Sequence, residues 1–410
     1  MLTSITIPDG VTSIGDSAFE NCTSLQFNRY DNGLYLGNET NKYLVLIKPR
    51  MQGIKNLAIN SKCKIIIGGA FSGCNSLTSV TIPDSVMCIG GRAFLNCSSL
   101  TNITIPDSVT SIGISAFWGC TSLTSVNIPS SVTSIGSGAF RGCTSLNYNE
   151  YDNACYLGND NNPYFVLIKA KSKGIIDCNI SEKCKFICDC AFNGCSKLTS
   201  ITIGDSVTSI GDLAFSGCSS LTSITIGNSV TSIGNSAFYD CSSLTNVTIG
   251  NSVTSIGYDA FSGCTSLSRI YYNGDINGWV QIDRLSDLMS YGSSDKELYI
   301  NGELLTEAVI DTATEIKRGA FRGCSSLTSI TIGNSVTSIG DSAFENCTSL
   351  TNVTIGDSVT SIGGYAFEGC RSLKTINYKG SKEQWNSISK GSYWNFNTGS
   401  YTINYNYVEN

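Results

Sequence analysis

Residues 221–243 read LTSITIGNSVTSIGNSAFYDCSS, and this 23-residue stretch decides the fold because it recurs along the chain. Its Ala-Phe-x-x-Cys segment occurs twelve times, ending at Cys22, Cys74, Cys97, Cys120, Cys143, Cys195, Cys218, Cys241, Cys264, Cys324, Cys347 and Cys370. Successive cysteines lie 23 residues apart, except for gaps of 52 before Cys74, 52 before Cys195 and 60 before Cys324. Self-similarity at one fixed period marks a chain built from stacked units, none of which can bury its apolar face alone.

Each unit has a physical reading. In the first copy, Leu2, Ile5 and Ile7 point inward on a short strand, with Thr3, Ser4 and Thr6 outside. LTSITI, residues 2–7, also matches the LxxLxL pattern of leucine-rich repeats, whose period is ~20–29 residues. Pro8, or Gly204 in a later copy, ends the strand, and Val11 and Ile14 make a second inward pair. Gly15 is expected to permit a turn, and nine of the twelve units carry Gly there; Ile67, Cys188 and Lys317 are the exceptions. Asp16 and Ser17 are suited to cap a single helical turn, placing Ala18, Phe19 and Cys22 inward. Stacking then puts twelve of the sixteen phenylalanines in one column, each preceded by Ala.

The repeated LTSITIPDSVTSIGxxAFxxC resembles the BspA-like leucine-rich repeat family over nearly the whole chain. The resemblance implies a right-handed solenoid with a strand-lined concave face. It also implies a surface or secreted protein of a host-associated microbe, often linked to adhesion. It names no ligand.

Composition narrows the function. At 410 residues the chain exceeds the ~250–300 at which a single globular core stops growing. There are no histidines, so Ser–His–Asp triads, Cys–His dyads, HExxH zinc sites and histidine general bases are all excluded. Net charge is −6 and no Lys/Arg run exceeds two, which argues against nucleic acid. No apolar run approaches the ~20 residues of a membrane span. No signal peptide opens the chain, so any export signal is expected upstream of it.

The repeat breaks in three places. Residues 26–62 and 147–183 are two copies of one insertion, YDNGLYLGNETNKYLVLIK and YDNACYLGNDNNPYFVLIK. Each reads as a β-hairpin around a polar loop, padding one edge rather than forming a binding ear. Residues 268–312 begin with a repeat strand, become helical around Trp279–Leu288 and end in a hairpin-like LYINGELL. Residues 374–410 echo that insertion and are expected to cap the core. Both segments carry Tyr-x-Gly, with Trp279 or Trp385 five residues past the glycine.

Nineteen cysteines require a reading of their own. Lying between inward Phe and Leu, the twelve ladder cysteines read as buried, reduced core residues. Cys178, Cys184, Cys188, Cys190 and Cys195 cluster in sequence, but they fall in different columns and contain no CxxC, so no zinc site is expected. The Asp/Asn loops at Asp31 and Asp160 lack the calcium-loop pattern and read as turns. No acidic column faces the sheet, as a glycosidase would need, and Ser and Asn interrupt the Thr rows that an ice-binding face would need.

The expectation is one solenoid over residues 1–410, of about fifteen coils spanning roughly 70 Å at ~4.8 Å each. It is expected to be extracellular or at the cell surface, to use no cofactor or metal, and to bind a protein or glycan, possibly host-derived. Contacts should gather where the repeat breaks, at Arg269, Tyr271, Tyr272 and Trp279. The competing reading is a passive spacer presenting another domain; an enzyme and an ice-binding array are more remote.

Overall fold

The computed structural model describes residues 2–408 except 16, 17, 20 and 52. The chain is a leucine-rich-repeat β-solenoid of about 16 turns with few helices. Its contacts divide into two compact units, Met1–Tyr151 with Cys155–Ile168 and Asp152–Ala154 with Lys169–Asn410.

The coil at residues 221–243, in the second unit, shows how the repeat closes. Strand Ser223–Ile226 pairs in parallel with Ser200–Ile203 before it, and its Ser223, Ile224 and Thr225 pair with Asn246, Val247 and Thr248 after it. Ile224 and Ile226 are buried while Ser223 and Thr225 are exposed, as strand alternation requires. The second inward pair belongs to a two-residue strand, Ser232–Ile233, which pairs in parallel with Ser209–Ile210 and Ser255–Ile256. Each regular coil thus contributes to two parallel sheets.

The third side of the coil differs from the helical turn expected from sequence. Within the coil, Ala237, Tyr239 and Cys241 donate their amides to Gly234, Ser236 and Phe238, at 3.3, 3.1 and 3.2 Å. Ser236, Phe238 and Asp240 instead donate to Tyr258, Ala260 and Ser262 of the next coil, at 2.8, 2.7 and 2.8 Å. A helix directs every amide along its own axis and could not supply this second set. Left-handed backbone at Ser236 (φ 51°) and Asp240 (φ 56°) produces the alternation. Asp16 and Ser17 lie outside the described residues, but their counterparts bond between coils. Asp212 Oδ1 accepts the Asn235 amide at 2.6 Å, and Asn235 Oδ1 accepts that of Tyr258 at 2.8 Å.

The repeated glycine also acts differently from expectation. Gly234 is not left-handed; a Cβ there would lie 2.4 Å from the Gly211 carbonyl carbon of the preceding coil. Close coil approach therefore selects glycine. Ile67 and Lys317 follow insertions, and their amides meet Leu46 and Val280 rather than a regular coil.

Side chains reinforce the stack. Thr199, Thr222 and Thr245 donate their hydroxyls to Ile176, Thr199 and Thr222 carbonyls of the preceding coil, at 3.1, 3.4 and 2.9 Å. Phe192, Phe215, Phe238 and Phe261 stack with centroids 5.1–5.2 Å apart. The ladder thiols are donors as well as apolar fillers: Cys241 Sγ donates to the Phe215 carbonyl at 3.2 Å, and Cys264 Sγ to that of Phe238 at 3.2 Å. The same Phe215 carbonyl accepts the Cys218 amide, so the thiol fills its second lone pair. None of the nineteen cysteines is in a disulfide, and fifteen of them are buried.

The first insertion is more than a hairpin laid on the flank. Three strands, Asn28–Tyr30, Gly33–Leu36 and Val45–Pro49, run antiparallel, and Val45 and Leu46 then pair in parallel with Ile65 and Ile66. The insertion thereby joins a coil sheet, which explains why Tyr35, Leu44, Val45 and Leu46 are buried. Its polar loop is tied down by Asn38, whose amide donates to the Ile7 carbonyl at 2.9 Å. Asn159 does the same to Ile128 at 2.8 Å. Asp31 (φ 47°) and Asp152 (φ 49°) are left-handed turn residues.

Candidate functional site

The face that a regular coil presents to solvent is monotonous: Ser200 and Thr202, Ser223 and Thr225, Asn246 and Thr248, coil after coil. Strand Arg269–Tyr272 continues this sheet beside Asn246–Ile249, and Glu297–Ile300 pairs on its other side. The register sets Arg269 against Asn246 and Tyr271 against Thr248. On the far side Arg269 meets Glu297 and Tyr271 meets Tyr299. The Tyr271 and Tyr299 rings stack with centroids 4.5 Å apart and an interplanar angle of 21°.

Arg269 Nε donates to Glu297 Oε2 at 2.8 Å, and the Tyr299 hydroxyl donates to the same oxygen at 3.1 Å. These bonds hold the Glu297 carboxyl below its ordinary pKa, Arg269 contributing most, and raise the Tyr299 phenol. An exposed ion pair adds little stability; its effect here is to orient the Tyr299 ring and cancel two charges.

Of the four expected contact residues, Arg269 and Tyr271 reach the surface and two do not. Tyr272 occupies the inward column of Ile249 and is 3% exposed. Trp279 is fully buried at the end of the short helix Ile276–Trp279. Its indole donates to the Ala320 carbonyl at 2.9 Å, where a regular coil supplies the Phe amide. Tyr272 packs 5.5 Å from Trp279, and the C-terminal echo repeats this as Tyr378 at 5.2 Å from Trp385. The glycine of each Tyr-x-Gly lies under the ring: a Cβ on Gly274 would sit 2.6 Å from Tyr272, and one on Gly380 would sit 2.7 Å from Tyr378. Both motifs are core devices, so Tyr272 and Trp279 are not contact residues. Sequence reading missed Glu297 and Tyr299; their signal was the repeat strand hidden in ELYI.

The C-terminal segment adds strand Thr375–Tyr378, paired with Asn352–Ile355 and Thr402–Asn404, and helix Lys382–Ser387 with a Ser381/Gln384 capping box. Trp394 stands edge-on to Phe367 at 6.2 Å. Beside the first insertion lies a concavity of about 520 Å³ that includes Asp31, Asn32, Met51 and Lys55 in its wall but offers no aromatic face. Among the described residues no three His, Cys, Asp or Glu side chains gather to hold a metal ion. No helix among them is long and apolar enough to cross a membrane.

A family model described as the BspA type leucine rich repeat region matches residues 1–38, 50–160, 170–280 and 295–409 in six copies. The chain belongs to this family. Members of the BspA-type family are commonly surface-associated, leucine-rich repeat proteins bind proteins in general, and they are generally non-enzymatic. The internal unmatched stretches, 39–49, 161–169 and 281–294, all fall inside insertions. Among solved structures, this BspA-type chain is similar to a leucine rich cell surface protein from Faecalibacterium prausnitzii, at 28% identity over 89% of this chain and 97% of that one, TM-score 0.34. It is also similar to a leucine-rich repeat protein from Bacteroides ovatus, at 25% identity over 92% and 97%, TM-score 0.34. No curated protein matches it.

Proposed function

We propose that this BspA-type chain is a non-enzymatic binding protein of a microbial cell surface that engages an extracellular partner, host-derived in the adhesion reading, through the Arg269–Tyr271 patch. The observation that carries the reading is the Tyr271–Tyr299 pair, 4.5 Å apart on a face otherwise of Ser, Thr and Asn. Aromatic residues beside an arginine are the side chains that concentrate binding energy at interfaces. BspA-type proteins are typically surface-associated, which supports the placement. The test is capture of extracellular-matrix proteins and glycans by the full chain, comparing Tyr271→Ala/Tyr299→Ala with Thr331→Ala on a regular coil of another sheet. Capture that needs the tyrosines supports the reading; capture unchanged by their loss and weakened by Thr331→Ala overturns it.

A passive spacer is the second reading, favoured by the near-identity of the coils over residues 198–264. It predicts no capture by any variant.

A further inference from the structure

We infer that the corner between Tyr271 and the adjoining hydroxyl rows holds a neutral saccharide unit of a glycan. This rests on reading the same patch as a binding surface and names what binds there. The wall is the Tyr271 ring. One face is taken by Tyr299; on the other side its register partner is Thr248, a short side chain, followed by Thr225 and Thr202 in the same row. The open face is therefore apolar and meets a polar floor at an angle. Saccharides present that combination, a C–H face for an aromatic ring and an edge of hydroxyls for hydrogen bonds.

The floor has capacity to spare. Thr222 and Thr245 commit their hydroxyls to the preceding coil. Thr225, Thr248 and Ser223 have no such side-chain partner among the described residues, nor does the Tyr271 hydroxyl. At the foot of the wall, Asn246 Oδ1 is buried with no hydrogen-bond donor. A buried acceptor left unpaired is costly; a sugar hydroxyl beside Arg269 would pair it only once the Asn246 side chain turned outward.

Charge and backbone narrow the class. Glu297 neutralises Arg269, which leaves no surplus charge for an acidic sugar. The two strands under the site, Asn246–Ile249 and Arg269–Tyr272, pair on both sides, so an extended peptide finds no free edge directly beneath the Tyr271 ring. The ring is held ready, because the Tyr299 hydroxyl is fixed on Glu297; pre-organisation lowers the cost of binding.

The experiment uses the full chain on an array of immobilised neutral oligosaccharides, with sialylated and sulfated counterparts and enzymatically deglycosylated matrix proteins. A neutral saccharide should bind, Tyr271→Ala should weaken it about tenfold or more, and Tyr271→Phe should retain it, since the ring face carries the contact. Tyr239→Ala, an exposed tyrosine away from the corner, is the control and should bind as the native chain does. Unchanged circular dichroism confirms that Tyr271→Ala folds. Binding only to charged sugars, or to none, overturns the inference. If a deglycosylated protein is captured and Tyr271→Ala loses it while no sugar binds, the glycan inference fails and the broader binding reading stands. Saccharide binding that survives Tyr271→Ala refutes both.

Discussion

Replacing Phe238 by alanine tests the solenoid as a physical object. The ring is fully buried between Phe215, 5.2 Å away, and Phe261, 5.1 Å away. Phe→Ala in a core costs ~3–5 kcal/mol, and each lost ring contact accounts for about 0.5–1.5 kcal/mol beyond burial. With two stacked neighbours the upper half of that range is expected. The loss should remain local. Phe238 bonds through its amide only to Ala260, and the Phe215 amide only to Ala237, so damage passes through adjacent coils and fades. Hydrogen exchange by mass spectrometry reads this directly. Amides over residues 215–261 should exchange about one- to five-thousandfold faster, while those over 329–376 remain near native. A uniform rise along the chain, or less than about tenfold acceleration at 215–261, would refute the reasoning.

Two glycines in one column should respond oppositely. Gly227→Ala sets a Cβ 2.6 Å from the Gly204 backbone and should lower the stability read from urea melts by about 1–3 kcal/mol. Gly204→Ala meets nothing within 4 Å and should be neutral or slightly stabilising. The thiols should be unreactive in the folded chain: burial raises Cys218 and Cys370 to about 12, and each thiol donates to a Phe carbonyl. Alkylation without reductant should label few cysteines before denaturation and nearly all nineteen afterwards; a Cys97–Cys120 bridge found by mass spectrometry would contradict this. Lys296 is 2% exposed, and burial lowers its pKa from 10.5 to about 8. Between those values the unfolded chain holds a proton that the folded chain lacks. Its penalty is therefore full below about pH 8 and is relieved as pH rises towards 10.5. Lys296→Met should be more stable than the native chain at pH 7 by up to about 3 kcal/mol, a gap that denaturant melts should show closing at high pH.

The repeat itself determined the fold. A 23-residue period with invariant Ala-Phe and Cys admits one solution, columns of identical residues in stacked coils, because each unit has too little core alone. From the second copy onward the inward columns, the buried thiols and the position of every break followed from spacing; in the first copy Ile7 is buried as expected, but Leu2, Ile5 and Ala18 are exposed. Contacts between coils did not, since they depend on what lies about one strand spacing away along the stack. Periodicity gives no sign that Gly234 faces a neighbouring backbone rather than making a turn, that Thr245 clamps a carbonyl, or that the Ala-Phe segment turns half its amides towards the next coil. The same limit governs the candidate site. Arg269 and Tyr271 could be placed outside by alternation, and Tyr272 could have been placed inside by counting one residue further, into the column of Ile249. That Tyr299 and Glu297, 28 residues downstream, complete the patch was decided only when an irregular insertion of unknown path returned a strand to the same register.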